Sequence, residues 1–243
     1  MGRKWENIKR SKGKLDQERG AIFSRIAKDL MKAAKEGGPD PEANFRLKTA
    51  IEAAREANMP ADNIHRAIRR GAGLEEGARY EEFTYEGYGP GGVAIMMNIM
   101  TDNRNRTAGD VRHIFTKHGG AMGETGCVGW MFTKKGIVEI DREQTDITED
   151  DLMMIVLDAG ADDIQTSDSL FEVTTAPESL EAVLRALHAA KVPVVSGETA
   201  MFPNTTVEVT GEHADKLGRM LDLLEENDDV QNVYSNARFP DEE

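Results

Sequence analysis

Between Gly71 and Gly77 the spacing of the apolar residues changes from the helical period to the alternation of strands. A chain with this pattern divides into an all-helical beginning and an α+β remainder, because a face built on one period cannot be buried by an element of the other. On the helical side, Ile22, Phe23, Ile26, Ala27, Leu30, Met31 and Ala34 form one stripe on a helix predicted from Asp16 to Glu36. Gly37-Gly38-Pro39 ends it, and Asp40-Pro41 is suited to cap and open a second helix that runs to about Ala57 with Leu47, Ile51 and Ala54 inward. Asn58-Met59-Pro60 turns the chain into a third helix, Ala61 to Arg70, with Ile64 and Ile68 inward. These three helices make a small bundle.

Past the glycines, strands are expected at Phe83–Tyr88 and Val93–Met100 around the turn Gly89-Pro90-Gly91-Gly92. A helix at 106–118 and a strand at 128–133 follow. Residues 135–203 then read strand (Ile137–Ile140), helix (Thr148–Ala159), strand (Asp163–Thr166), strand (Leu170–Thr174), helix (Pro177–Ala190) and strand (from Val192), a ferredoxin-like βαββαβ order. The closing unit, strand Thr206–Val209, helix Glu212–Glu226 and strand Val230–Tyr234, is too small to fold alone, and its simplest partner is the sheet begun at Phe83. The predicted fold is therefore multi-domain, α and α+β. A basic arm and three-helix domain span 1–76, a middle α+β domain comprises 79–134 and 204–239, and a ferredoxin-like domain is inserted at 135–203.

Charge follows the same division. The first 35 residues hold eleven Lys/Arg against four acids, although the whole chain carries −14. A basic end on an acidic body attracts polyanions and restricts where they touch, and nucleic acid fits that demand. The cations expected to meet it are Arg3, Lys4, Lys9, Arg10, Lys12 and Lys14 of the arm, with Trp5 beside them either to stack on a base or to pack on the first helix. Arg25, Lys28, Lys32 and Lys35, spaced by three, four and three, belong on one outward face of the first helix. Arg66, Arg69 and Arg70 lie outward on the third, which is either the groove-reading helix of a helix-turn-helix or simply a helix whose last turn carries cations that suit its dipole. The turn before it lacks the usual glycine.

Asp102-Asn103-Arg104-Asn105-Arg106-Thr107 falls where a strand passes into a helix. Arg104 and Arg106 there either hold an anion, or the segment is a turn and cap with Thr107 and Asp110 near capping-box spacing. The glycine runs at 89–92 and 119–123 match no nucleotide-binding fingerprint and read as turns. His113, His118 and Cys127 do not have the spacing of a metal site, and no nucleophile sits with a base, so neither cofactor, metal nor enzymatic activity is expected. With one cysteine and no apolar run of membrane-spanning length, the chain reads as cytoplasmic and apart from membranes.

Lys4-Trp5 with Asn7-Ile8-Lys9, Arg19-Gly20, Asp40-Pro41, Asn58-Met59-Pro60, Tyr85 to Gly92, Asp102 to Thr107, Val111-Arg112-His113, Lys117 to Gly120 and Asp228-Asp229-Val230-Gln231 together resemble the YebC/PmpR family. The mitochondrial translational activator of cytochrome oxidase subunit one is similar. Only Gly2-Arg3 precedes Lys4-Trp5, where the family commonly has a start like Ala-Gly-His-Ser. The resemblance implies a three-domain protein and two functions: a DNA-binding transcriptional regulator, or a ribosome-associated translation factor that uses the same surface on ribosomal or transfer RNA.

Overall fold

The computed structural model describes residues 18–77 and 79–239, so the arm from Arg3 to Lys14 lies outside the described residues. Among those described, the chain is helical at first and α+β afterwards, and it gathers into two compact units: 18–77 with 134–200, and 79–133 with 201–239.

The first unit begins with helices α1 (Glu18–Gly37), α2 (Phe45–Glu56) and α3 (Ala61–Gly71). Leu47, Ile51, Ala54, Ile64 and Ile68 are all buried, as their spacing predicts. The second helix starts later than expected. Asp40 makes a turn instead, and Asn44 is the cap, accepting from the Leu47 N–H at 3.0 Å. The Asn44 amide also donates to the carbonyls of Ala33 and Gly38, so one buried side chain ties the end of α1 to the start of α2. At the far end of the bundle, a Cβ on Gly71 would fall 2.2 Å from the Met31 carbonyl oxygen, and only glycine lets α3 approach α1 so closely.

The outward face of α1 needs correcting. Lys28 is only 3% exposed, whereas Ile22, expected inward, is 44% exposed. Helix α1 packs against both α2 and α3, and its buried residues include Lys28, while Ile22 near its start is exposed.

The same unit contains β4 (Phe132–Asp141), α5 (Glu149–Asp158), β5 (Ala161–Thr166), β6 (Leu170–Thr175), α6 (Leu180–Ala189) and β7 (Ser196–Pro203). Their sheet order, β5-β6-β4-β7, is that of a ferredoxin-like fold. Val138, Ile140, Phe171 and Val173 face Leu152 and Val156 of α5 and Val183, Leu184 and Leu187 of α6. Val192 and Val194 join this core rather than a strand, so β7 starts only at Ser196. The bundle also packs on the rest of this unit, α2 lying against α6. The Phe45 N–H donates to Glu181 at 3.1 Å, Thr49 Oγ1 lies 3.3 Å from His188 Nε2, and the Arg185 guanidinium sits over the Phe45 ring.

The second unit is built on β1 (Glu81–Gly89), β2 (Val93–Thr101), β3 (Ala121–Met122) and β9 (Val230–Ser235), in the order β3-β1-β2-β9. Helices α4 (Arg104–Lys117) and α7 (Gly211–Glu226) cover one face. Strand β2 is apolar at seven of its nine positions, Asn98 and Thr101 excepted, because both its faces are buried. Val93, Ile95, Met97 and Ile99 meet Val111, Phe115, Leu217 and Met220, while Ala94 and Met96 meet Val128 and Phe132. The short strands β8 (Val207–Glu208) and β10 (Ala237–Arg238) pair in parallel, apart from the main sheet. Two turn or strand expectations change here. Part of the 119–123 glycine run is strand β3, held against Gly87 and Tyr88, and residues 129–131 are a 3-10 turn rather than strand.

Candidate nucleic-acid interface

Exposed cations of the helical region lie on α1 and α3, and Arg55 at the end of α2 is exposed as well. Arg66, Arg69 and Arg70 are exposed, Lys35 is exposed, and Arg25 and Lys32 are half-buried. Arg69 has an ion pair with Glu75 at 3.6 Å, long enough to yield to a phosphate. Buried Lys28 does not reach this surface. The turn from α2 to α3 does without glycine because Asn58 takes the left-handed conformation (φ 59°), which asparagine tolerates better than other side chains. The Met59 N–H then bonds back to Ala54, closing α2 before Pro60 opens α3.

Asp102 to Thr107 is assembled differently. Asn103, not Thr107, caps α4, its side chain accepting from the Arg106 N–H at 3.1 Å. Thr107 Oγ1 is buried and donates to Asp229 at 2.7 Å, beside Thr101 Oγ1 at 2.9 Å. The Arg106 guanidinium donates to the same Asp229 oxygen at 2.8 Å and to Asp102 at 3.0 Å. Hydrogen bonding to Asp229, then to Asp102, raises the Arg106 pKa above its already high ordinary value, so it stays protonated. Arg104 lies over the Phe83 ring at 4.2 Å, with Glu81 at 3.4 Å. Of the two readings open for this segment, the turn and cap is present, with Asn103 as the cap, and the carboxylates that Arg106 meets are the protein's own Asp229 and Asp102. Asp229 belongs to the Asp228-Asp229-Val230-Gln231 stretch that the resemblance singled out, but its pairing with Thr107, 122 residues away, was not foreseen.

A second polar centre was also missed. Glu86 is 4% exposed and accepts from the backbone N–H groups of Gly126 (2.9 Å), Val128 (2.8 Å) and Gly129 (2.7 Å). These bonds take residues 126–129 out of any ladder, which is why the expected strand at 128–133 begins only at Phe132. Gly126 supplies the positive φ, 92°, that the loop needs. Cys127 lies in this loop; burial, and then the charge of Glu86, push its thiol pKa up, opposite to an activated cysteine. Among the described residues no group of three His, Cys, Asp or Glu is arranged to hold a metal ion, and no helix is long and apolar enough to cross a membrane.

Comparison with known proteins covers both regions. The profile described as the TACO1/YebC protein N-terminal domain matches residues 3–74, and the one described as the TACO1/YebC second and third domain matches residues 80–237. A probable transcriptional regulatory protein of Symbiobacterium thermophilum is 69% identical over 237 residues, 98% of each chain. One of Desulforamulus reducens is 55% identical over 96% of each. The crystal structure of a conserved hypothetical protein from Aquifex aeolicus, 44% identical, superposes with a TM-score of 0.84 over 96% of this chain and 95% of that one.

Proposed function

The chain belongs to the TACO1/YebC family, and from that membership we propose that it is a non-enzymatic regulator of gene expression, a DNA-binding transcriptional regulator that acts through its basic N-terminal helical domain. The relatives' names, probable transcriptional regulatory protein, support the regulatory reading. The observation that carries the binding mode is the exposure of Arg66, Arg69 and Arg70 along α3, which follows α2 after a tight turn as a recognition helix does. Lys35, Lys32 and Arg25 on α1 extend the cationic surface, and Arg3, Lys4, Lys9, Arg10, Lys12 and Lys14 add to it in sequence. The acidic remainder turns the polyanion toward this end. In this reading residues 1–76, 79–134 with 204–239, and 135–203 are three domains, of which the first touches nucleic acid, and the protein works in the cytoplasm.

The test is a salt titration of binding to duplex DNA. With six to eight cations on phosphates, log K falls against log salt with a slope of roughly −5 to −7. A slope near zero rejects contact through this end. Recovery of the protein on ribosomes at physiological salt, with no affinity for duplex DNA, reassigns the same cations to RNA.

A further inference from the structure

Helix α5 carries apolar side chains on both of its sides. Leu152 and Val156 are fully buried in the ferredoxin-like core, so the packing that fixes the helix is made on its inner face. On the outer face, where an amphipathic helix is ordinarily polar, Met154 is 66% exposed, Leu157 50% and Met153 36%. Leu157 lies three and four residues beyond the two methionines, so the three side chains adjoin one another. Eight large apolar side chains are exposed among the described residues, and three of them are here, which makes a patch and not the scattered apolar residues of an ordinary surface. Methionine suits such a patch, since its unbranched, polarizable side chain adapts to what covers it.

Charge on the same helix selects the occupant. Asp150 stands one turn before the methionines and Asp158 one turn after Met154, both exposed on the outer face, and no cation among the described residues pairs with either. From Asp141 to Asp168 the chain holds ten acids against one cation, Arg142. That cation is engaged, donating to the Ser167 and Asp168 carbonyls and lying over the Phe171 ring. Such a surface repels nucleic acid, an anionic membrane and a second copy of itself, and admits a segment that is basic and has apolar side chains of its own. Residues 1–17 have that character: six cations against Glu6 and Asp16, interleaved with Trp5, Ile8 and Leu15. They are joined to α1, which belongs to the same compact unit as α5. Seventeen residues reach about 56 Å when extended, and a unit of about 130 residues has a radius of gyration of about 14 Å, so α5 is within range. Tethering makes the encounter intramolecular, at an effective concentration on the order of millimolar, so a weak contact is populated without any partner.

We propose that the outer face of α5 is the docking site for this chain's own residues 1–17, with Trp5 and Ile8 on Met154 and Leu157 and the cations of the arm on Asp150 and Asp158. Docked there, the arm is withheld from other polyanions, and a nucleic acid that takes up the same cations has to displace the two carboxylates. The docking does not depend on nucleic acid; its consequence for binding rests on the proposed function.

The experiment uses the full-length protein carrying Trp130→Phe, in which Trp5 is the one indole, and a synthetic peptide of residues 1–17 as the undocked reference. Acrylamide quenching of Trp5 in the protein is expected to be well below that of the peptide. Met154→Ser/Leu157→Ser and Asp150→Lys/Asp158→Lys change exposed residues, so both double variants are expected to remain folded and to raise the quenching to the peptide's value. In the parent, carbodiimide coupling followed by mass spectrometry is expected to join Lys4, Lys9, Lys12 or Lys14 to Asp150, Asp151 or Asp158. This readout needs no variant, so it stands even where a substitution disturbs the fold. Trp5 as open in the parent as in the peptide, Trp5 shielded but indifferent to both double variants, or couplings confined to acids outside α5 overturns the docking site. Shielding that grows with protein concentration places the arm on a second copy and rejects docking within one chain. Duplex DNA added to the parent is expected to suppress the couplings to α5. Docking in a protein that binds no DNA leaves the site standing and overturns the proposed function alone.

Discussion

Helices α3 and α4 each carry arginines at close spacing, and the two sets have opposite fates. On α3, Arg66, Arg69 and Arg70 face solvent, and the ion pair seen there, Arg69 with Glu75, is long. On α4, Arg106 is locked to Asp229 and Asp102, and Arg104 lies on Phe83. The difference lies in what the fold places opposite each helix. The second unit brings the loop before β9 to the start of α4, and Asp229 arrives with it, whereas the α3 arginines are met by no comparable buried carboxylate among the described residues. A basic motif is an available binding site only where tertiary structure has not already supplied the counter-charge.

The sharpest way to break this comparison is Asp229→Ala. It removes the acceptor of buried Thr107 and of Arg106, and a loss of about 2–3 kcal/mol of stability is expected in urea unfolding. A loss under about 0.5 kcal/mol would mean that α4 does not depend on its internal anion. Next comes Arg66→Ala/Arg69→Ala/Arg70→Ala, which should leave stability within about 0.5 kcal/mol and make the salt slope of duplex binding roughly two to three units shallower. An unchanged slope would put the α3 arginines in the same class as Arg106. Arg104→Ala sharpens the contrast from the other side: the cation–π contact is worth about 0.5–1 kcal/mol, and DNA affinity should not move. The smallest effect is at Cys127. Its raised thiol pKa keeps the reactive thiolate scarce at neutral pH, so alkylation should be slow there and rise only as pH passes the ordinary thiol range. Glu86→Gln, by removing one of the charges that raises the pKa, should speed it modestly. Fast alkylation of the parent protein at neutral pH would contradict the closed loop.

The parts legible in the sequence are those governed by local periodicity. The buried positions Leu47, Ile51, Ala54, Ile64 and Ile68, the hairpin around Gly89 to Gly92, and the order of elements from β4 to β7 all follow from spacing, because a helix or strand must bury the face its own residues define. Legibility failed where a residue's surroundings come from far along the chain. Lys28 occupies a position polar by pattern, yet the fold buries it. Val128 looks like strand, but its N–H is taken by Glu86, 42 residues earlier. The arginines at 104 and 106 are the same residue type as those at 66, 69 and 70, and nothing in the sequence around them says that Asp229 will pair with Arg106.

What the sequence determined by itself is therefore the division at the Gly71–Gly77 boundary into helical and α+β parts, the segregation of charge, and the residues able to carry either role. Which arginines remain open to a phosphate, and which apolar residues of α5 stand in water, only the tertiary structure decided. Periodicity is a property of consecutive residues. The pairing of a charge or the exposure of a side chain depends on groups distant in sequence, brought close only when the chain has folded.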